Sequence, residues 1–424
     1  MNRFIEKLLK SEYFKNISVQ VLGTGIAQLI PFLIMPILSR IYNEKAFADF
    51  SIFTAITGVL IVACGARYHF AIVLPKKTEE ANKIFLVSVC YTIAYSILIL
   101  LGITIFNLNS NYFNGIVLSW LVIPLFVFFY GCWISLINLS IRQKLFKTNS
   151  FSKITQSSSN GFTTVLLGFF TKSSGLVIGK IMGVFISSIY LIRKLNVRNI
   201  KKLSKSDFIF ISKKYKDFPV YTILPSLLNS ASTQAPIFII GHYFSKLELG
   251  YFGFTFICIA GPLSIIGVSF RDVFYQKAAE TFNKGEEDKI MKIFKSSVLS
   301  LILLGAPIFI IIYFFGETLF SFIFGEKWSE SGRYASILIL SFVIKLIVSP
   351  LSNVFNVLKK LKVLSLWQIT YFVSTFITLI VTVMFFDPKI ELFLKVYLVH
   401  EILLYLFYYF LQYWVIKKYC KKHN

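Results

Sequence analysis

Lys345 stands near the middle of residues 334–358, a run otherwise free of charge and long enough to cross a bilayer. An ammonium at that depth costs about 2.5 kcal/mol or more, so it is expected to face protein or water rather than lipid. Ser341, Ser349, Ser352 and Asn356 recur with it at steps of three or four, which makes one polar stripe on a helix. Such a cation can hold an anion. It can equally form an ion pair within its own half of the chain, and Glu401 is the obvious partner.

Other residues have usable chemistry. Arg67 and Arg271 fall near the inner ends of apolar runs, where a guanidinium can bind phosphate through two parallel hydrogen bonds or snorkel to lipid headgroups. Lys153 opens the most polar run of the chain and belongs either to a cavity or to a loop. Gln28, Gln156, Asn160 and Gln234 add neutral hydrogen-bonding groups at membrane depth. His400 and Glu401 are adjacent about nine residues into the last apolar run and could carry protons, with Asp272 a weaker candidate; a buried structural His–Glu pair is an equal reading. The sequence has no Walker A motif, metal-ligand spacing, Ser–His–Asp arrangement or pair of carboxylates at acid–base spacing, so a cofactor is not expected and an enzyme is disfavoured.

The elements that must position these residues are membrane helices. Of 424 residues 56% are apolar and 15% charged, with a mean hydropathy of +0.71. About twelve spans are expected, at roughly 16–38, 47–66, 84–106, 116–137, 152–171, 174–192, 218–241, 250–270, 294–315, 333–357, 363–386 and 392–415. The net charge of +24 is concentrated on one set of alternate loops, above all 193–216 and the tail with Lys417, Lys418, Lys421 and Lys422. By the positive-inside rule both termini are cytoplasmic, and the charge reads as a topology signal beside anionic lipid rather than as nucleic-acid binding. Cys64, Cys90, Cys132 and Cys258 fall in spans and Cys420 in the tail, with no disulfide framework. The first apolar run is long enough to span and lacks a cleavage signature, so it is expected to remain as the first helix.

The basic loop divides the chain into an N-terminal six-helix lobe, 1–192, a linker, 193–217, and a C-terminal lobe with a basic tail, 218–424. Gln28-Leu-Ile-Pro31 and Gln234-Ala-Pro236 stand at corresponding places in the two halves, as expected of parallel repeats around a central cavity. Pro31 and Pro36 in the first span, and Pro225 and Pro236 in the seventh, are expected to break those helices beside polar stripes. Span five, with Ser152, Thr155, Ser157, Thr163 and Thr164 among its polar residues, reads as a cavity wall in preference to helix-packing glue. Gly175, Gly179 and Gly183 form a close-packing face on span six, and Lys180 there is expected to snorkel outward. Gly325 marks a tight turn, Trp328 an interfacial anchor, and Pro350 a bend below Lys345.

Val273–Glu280 (VFYQKAAE), Phe324–Trp328 (FGEKW), Ser349–Asn353 (SPLSN) and Val357–Lys360 (VLKK) resemble the polysaccharide flippases of the multidrug/oligosaccharidyl-lipid/polysaccharide exporter superfamily, particularly Wzx-type O-antigen flippases. Leu38–Tyr42 (LSRIY) extends the likeness more loosely into the first half. The resemblance implies an all-α, MATE-like bundle in a bacterial inner membrane. Its expected cargo is a polyprenyl-diphosphate-linked oligosaccharide, an O-antigen or capsule unit, turned from inner to outer leaflet, with an O-antigen polymerase as a further partner. On that reading Lys345, Arg271, Arg67 and Lys153 meet the diphosphate and Gln28, Gln156, Asn160 and Gln234 the glycan. The rivals are a cation-coupled multidrug exporter of the same fold, a lipid II flippase, and a membrane glycosyltransferase or polymerase. Few acidic residues in the N-terminal half and short outer loops weigh against the first and last of these.

Overall fold

A bilayer offers no water to backbone amides, so a chain this apolar must close its hydrogen bonds within each segment. The computed structural model describes residues 12–109, 122–171, 174–195, 197, 200, 203–286, 288–386 and 389–423, and among these no strand occurs. Residues 116–121 of the expected fourth span lie outside the described residues, as do 196, 198–199 and 201–202 of the basic loop and the side chains of Asn16, Lys421 and Lys422. The chain divides into two compact units, Met1–Ser230 and Ala231–Asn424.

In the first unit α1 (Glu12–Ile41) leads through a short turn to α2 (Glu44–Leu60), whose first amides are met by the Asn43 side chain, 3.0 Å from Ala46 N. A 3₁₀ stretch, Ile61–Val73, continues α2. Then come α3 (Thr78–Asn109), α4 (Val122–Arg142), α5 (Phe146–Gly168), α6 (Gly175–Lys194), the short α7 (Lys205–Lys214) and α8 (Asp217–Tyr243). The expected glycine face of α6 is real. A methyl group added at Gly179 would collide with Thr164 Oγ1, and one at Gly183 would lie 2.5 Å from the Gln156 carbonyl of α5. The Tyr42 hydroxyl closes the top of this assembly by donating to Thr164 O at 2.7 Å.

The basic loop contains a helix that hydropathy alone does not mark. α7 is capped by Ser204 and buries Ile211 in a cluster with Tyr68, Ile84 and Leu136. Phe208, Tyr91 and Tyr68 stack in sequence at 5.3 and 5.2 Å, and Tyr68 donates to Ser212 O at 2.9 Å. Lys83 bonds Asp207 at 2.9 Å and Lys214 bonds Glu80 at 2.5 Å. Lys83, with help from Ser204, holds the Asp207 carboxyl below the usual carboxylate range.

The second unit holds the end of α8, α9 (Lys246–Asn283), α10 (Asp288–Phe324), α11 (Ser329–Val348), α12 (Leu361–Phe385) and α13 (Ile390–His423). A reciprocal capping box, Ser245 with Glu248, starts α9. Gly325 turns the chain after α10 with φ +103°, a value that an L side chain rarely adopts. Trp328 departs from expectation: it is fully buried and stacked on Phe254 at 3.8 Å, because the turn at Gly325 folds it back onto α9. After α11 a 3₁₀ turn, Ser349–Asn353, contains Pro350, and one helical turn, Val354–Val357, follows.

Ten described segments are long and apolar enough to cross a membrane. The two remaining long helices, α5 and α13, correspond to the fifth and twelfth spans and are the more polar ones. α1 and α8 run unbroken past their prolines, in contrast to the expected interruptions. The break lies instead in the second span. Cys64 leaves helical geometry, and Gly65, Ala66 and Arg67 all take left-handed φ, at 57°, 45° and 61°.

Two predictions follow from this packing. Gly179→Leu should separate α5 from α6 and lower stability by about 1–3 kcal/mol, as overpacking does, while Gly102→Ala, in open space within α3, should cause no loss in the same thermal-unfolding assay. Because Asp207 is lowered in the folded protein, its contribution is present above the ordinary carboxylate range and fades as pH falls through the lower native value. Amide exchange in α7 should therefore rise below about pH 4, and Lys83→Ala should remove that rise.

Candidate functional site

The second unit brings three sequence candidates together. Lys345 lies one turn before the end of α11, with its Nζ 3.8 Å from Glu401 Oε2 on α13 and 3.5 Å from the Tyr371 hydroxyl on α12. Tyr371 donates to the same Glu401 oxygen at 3.2 Å. The ammonium also sits over the rings of Tyr405 and Tyr371, 5.4 and 5.7 Å from their centroids. Glu401 is 2% exposed and Lys345 28%, so the carboxylate holds the cation from the inner side. His400 completes the cluster through Ser374, at 3.3 Å from Nε2. The geometry is that of the ion pair named above as the alternative to a free cavity cation.

The polar stripe around Lys345 is largely self-satisfied. Ser341 and Ser352 donate to backbone carbonyls three residues back, and Asn356 bonds Asn353. Arg271 and Asp272 pair with each other at 3.0 Å on an exposed face of α9 and take no part in the Lys345 cluster. Gln234 is half-buried on α8. Tyr371, Tyr405 and Ser374 escaped the sequence reading. Tyr405 follows Glu401 by four residues, which was a readable signal; Tyr371 comes from another helix, and nothing in the sequence pairs it with Glu401.

The first unit treats its cations differently. Lys153 on α5 donates to Thr24 Oγ1 of α1 at 2.9 Å. Lys180 on α6 turns onto α2 rather than outward, donating to Thr54 Oγ1 at 3.3 Å beneath the rings of Phe50, Phe53 and Phe126. Arg67 stands at the left-handed break with its Nη1 3.5 Å from Val62 O and its guanidinium over Phe70 at 4.8 Å, while its buried Nε has no hydrogen-bond partner. None of these three forms an ion pair with a carboxylate among the described residues.

Span five divides its polar residues between two tasks. Ser152 is buried and bonds Ser187 of α6 at 2.7 Å, and both hydroxyls lie within 3.1 Å of Trp133 Nε1 on α4. Ser157 and Thr164 are buried as well. Lys153, Gln156 and Asn160 remain half-buried, as does Gln28 on α1. Among the described residues no three His, Cys, Asp or Glu side chains converge as a metal site would require.

Residues 37–333 match the family described as polysaccharide biosynthesis protein. The chain belongs to that family. The matched region of this polysaccharide biosynthesis protein contains Arg67, Lys153 and Lys180 and stops short of Lys345. No curated protein matches the chain in sequence. Its fold is shared with solved transporters. The lipid II flippase MurJ in an inward closed conformation superposes with a TM-score of 0.67 at 14% identity, over 92% of this chain and 86% of that one. An inward-facing multidrug resistance MATE family transporter of the MOP superfamily gives 0.65 at 10% identity, over 97% and 99%. A MOP superfamily transporter from Pyrococcus furiosus, described as having a binding pocket of reversed polarity, gives 0.60 at 11% identity, over 97% of each chain. The family model ties the chain to polysaccharide biosynthesis, and the solved neighbours show that its multi-pass helical fold is the one these transporters use.

If Lys345 and Glu401 compensate each other, Glu401→Ala should lower stability by about 2–4 kcal/mol, somewhat under the cost of splitting a fully buried pair. Lys345→Leu combined with Glu401→Leu should recover most of that loss in a double-mutant cycle read by thermal unfolding.

Proposed function

We propose that the protein carries a polyprenyl-diphosphate-linked oligosaccharide, an O-antigen or capsule repeat unit, from the inner to the outer leaflet of a bacterial cytoplasmic membrane. The observation that carries this reading is the set of cations in the first unit, Arg67, Lys153 and Lys180, whose neighbours are hydroxyls, a carbonyl and aromatic faces rather than carboxylates. Each costs about 2.5–3.5 kcal/mol at membrane depth and is functional by default. A diphosphate supplies the missing counter-charge, with Arg67 suited to two-pronged binding. Gln28, Gln156, Asn160 and Gln234 offer hydrogen bonds to sugar hydroxyls, and Arg271 a further guanidinium. The lipid tail stays in the bilayer.

Movement is by alternating access of two six-span lobes, 1–192 and 218–424, joined through the basic loop with both termini in the cytoplasm. An anion leaving an inside-negative compartment gains about 2.3 kcal/mol per charge per 100 mV, which favours this direction without nucleotide hydrolysis. An O-antigen polymerase would then receive the cargo on the outer side.

In sealed proteoliposomes the wild type should flip its lipid-linked unit. Arg67→Ala and Lys153→Ala should each slow flipping by about ten- to a hundredfold, the worth of one charge-assisted hydrogen bond, while Lys153→Arg keeps most of the rate. A folded wild type that leaves the lipid-linked unit unmoved but exports cationic drugs would overturn the proposal in favour of the multidrug exporter.

A further inference from the structure

Two buried polar atoms in the second unit face each other without bonding. His400 Nδ1 and Glu401 Oε1 are 3.6 Å apart, and neither has a hydrogen-bond partner among the described residues. An unmet acceptor and an unmet ring nitrogen at this spacing leave room for one proton to be shared after a small movement. The other side of the imidazole is reachable. His400 lines an open groove of about 370 Å³ with Thr378, Lys395, Val396, Val399 and Leu403. Glu401 itself is sealed from that groove, so His400 stands between it and the surroundings.

We infer that Lys345 is a latent anion site, masked by ionised Glu401 and unmasked when His400 delivers a proton to that carboxylate. The ring takes a proton at Nε2 and gives up the one on Nδ1 to Glu401 Oε1, so it ends neutral with its tautomer exchanged. Glu401 becomes a neutral acid, and the Lys345 ammonium keeps the Tyr371 and Tyr405 hydroxyls and the two tyrosine faces, none of them a negative charge. The groups facing Glu401 leave no other counter-charge to take over. They are Lys345 from α11, Tyr371 from α12, and Tyr397, His400 and Tyr405 on its own helix. The cation that α10 brings to α13, Lys295, lies over Tyr413, about three turns away.

Lys345 is 28% exposed whereas Glu401 is 2% exposed, so an oxyanion has access to the ammonium and not to the carboxyl. The ligand class is a phosphate-type oxyanion, which on the flippase reading is the cargo diphosphate. The sign of the coupling follows from the charges. A proton removes the negative partner, so proton and anion assist each other's binding rather than compete, and by linkage each must raise the other's affinity equally.

The test uses the full chain in lipid nanodiscs, with inorganic diphosphate as the probe. At neutral pH Glu401→Gln should bind diphosphate at least about tenfold tighter than wild type, the equivalent of one pKa unit of coupling. Lowering the pH should narrow that gap, and comparison at each pH cancels the probe's own titration. Adding Lys345→Met to Glu401→Gln should abolish the gain. The wild type in weak buffer should take up protons on binding diphosphate beyond any uptake seen with Glu401→Gln, a reading that survives if a variant folds poorly. Equal affinity of wild type and a folded Glu401→Gln at neutral pH, or no excess proton uptake, overturns the inference. Because binding is read without transport, proton-linked binding in a protein that flips nothing would sink the flippase reading and leave this site standing, and the reverse result would do the opposite.

Discussion

A charge held at membrane depth has to be compensated by the protein, and this one requirement organises both units. In the second unit compensation is complete, since Lys345 and Glu401 share one small enclosure with tyrosine hydroxyls and ring faces. In the first it is partial. Hydroxyls and aromatic quadrupoles stabilise Lys153 and Lys180, but neither neutralises them. The asymmetry distinguishes the units: one sets a carboxylate against its cation, and the other meets Lys153 and Lys180 with neutral groups.

Much of the architecture was legible from residue order, because hydrophobic length and glycine spacing are local properties. The α6 glycines at intervals of four had to meet another backbone closely, and they do. The Lys345–Glu401 pairing was readable as a possibility, since few carboxylates lie inside spans. The prolines misled. Pro31, Pro36, Pro225 and Pro236 remove single hydrogen bonds, which a long packed helix tolerates. The true interruption at Cys64–Arg67 has one glycine and no proline, and its left-handed Ala66 and Arg67 are imposed from outside the segment. Tyr95 bonds Leu60 O, Cys64 bonds Val127 O, and Ser88 crowds Gly65. Contacts between distant residues carried that information, and no local pattern reports them. Trp328 escaped for a similar reason, because composition cannot tell an interfacial tryptophan from one folded back on Phe254.

Span five shows why polarity alone does not define a cavity wall. Ser152 and Thr164 are of the same polar type as Thr155 and Thr163, yet Ser152 is consumed in hydrogen bonds with α6 and α4, and the Thr164 hydroxyl bonds Asn160 and packs at Gly179 of α6. Helical phase does not separate the two: Gln156 and Asn160 recur at steps of four with Ser152 and Thr164 and lie against the α6 glycines, yet they stay half-buried. A polar membrane helix can therefore serve both purposes at once, on a single face.

The helix α7, pinned by Asp207, Lys214 and Ile211, has a consequence for synthesis. The first unit's apolar cluster includes Ile211, Tyr215 and Phe218, and the unit itself extends to Ser230. Its tertiary structure is incomplete until those residues have left the ribosome, well after its sixth membrane helix is made. Assembly of the amino-terminal unit must wait for the first residues of the seventh span, so the order of translation and the order of folding are offset by one helix.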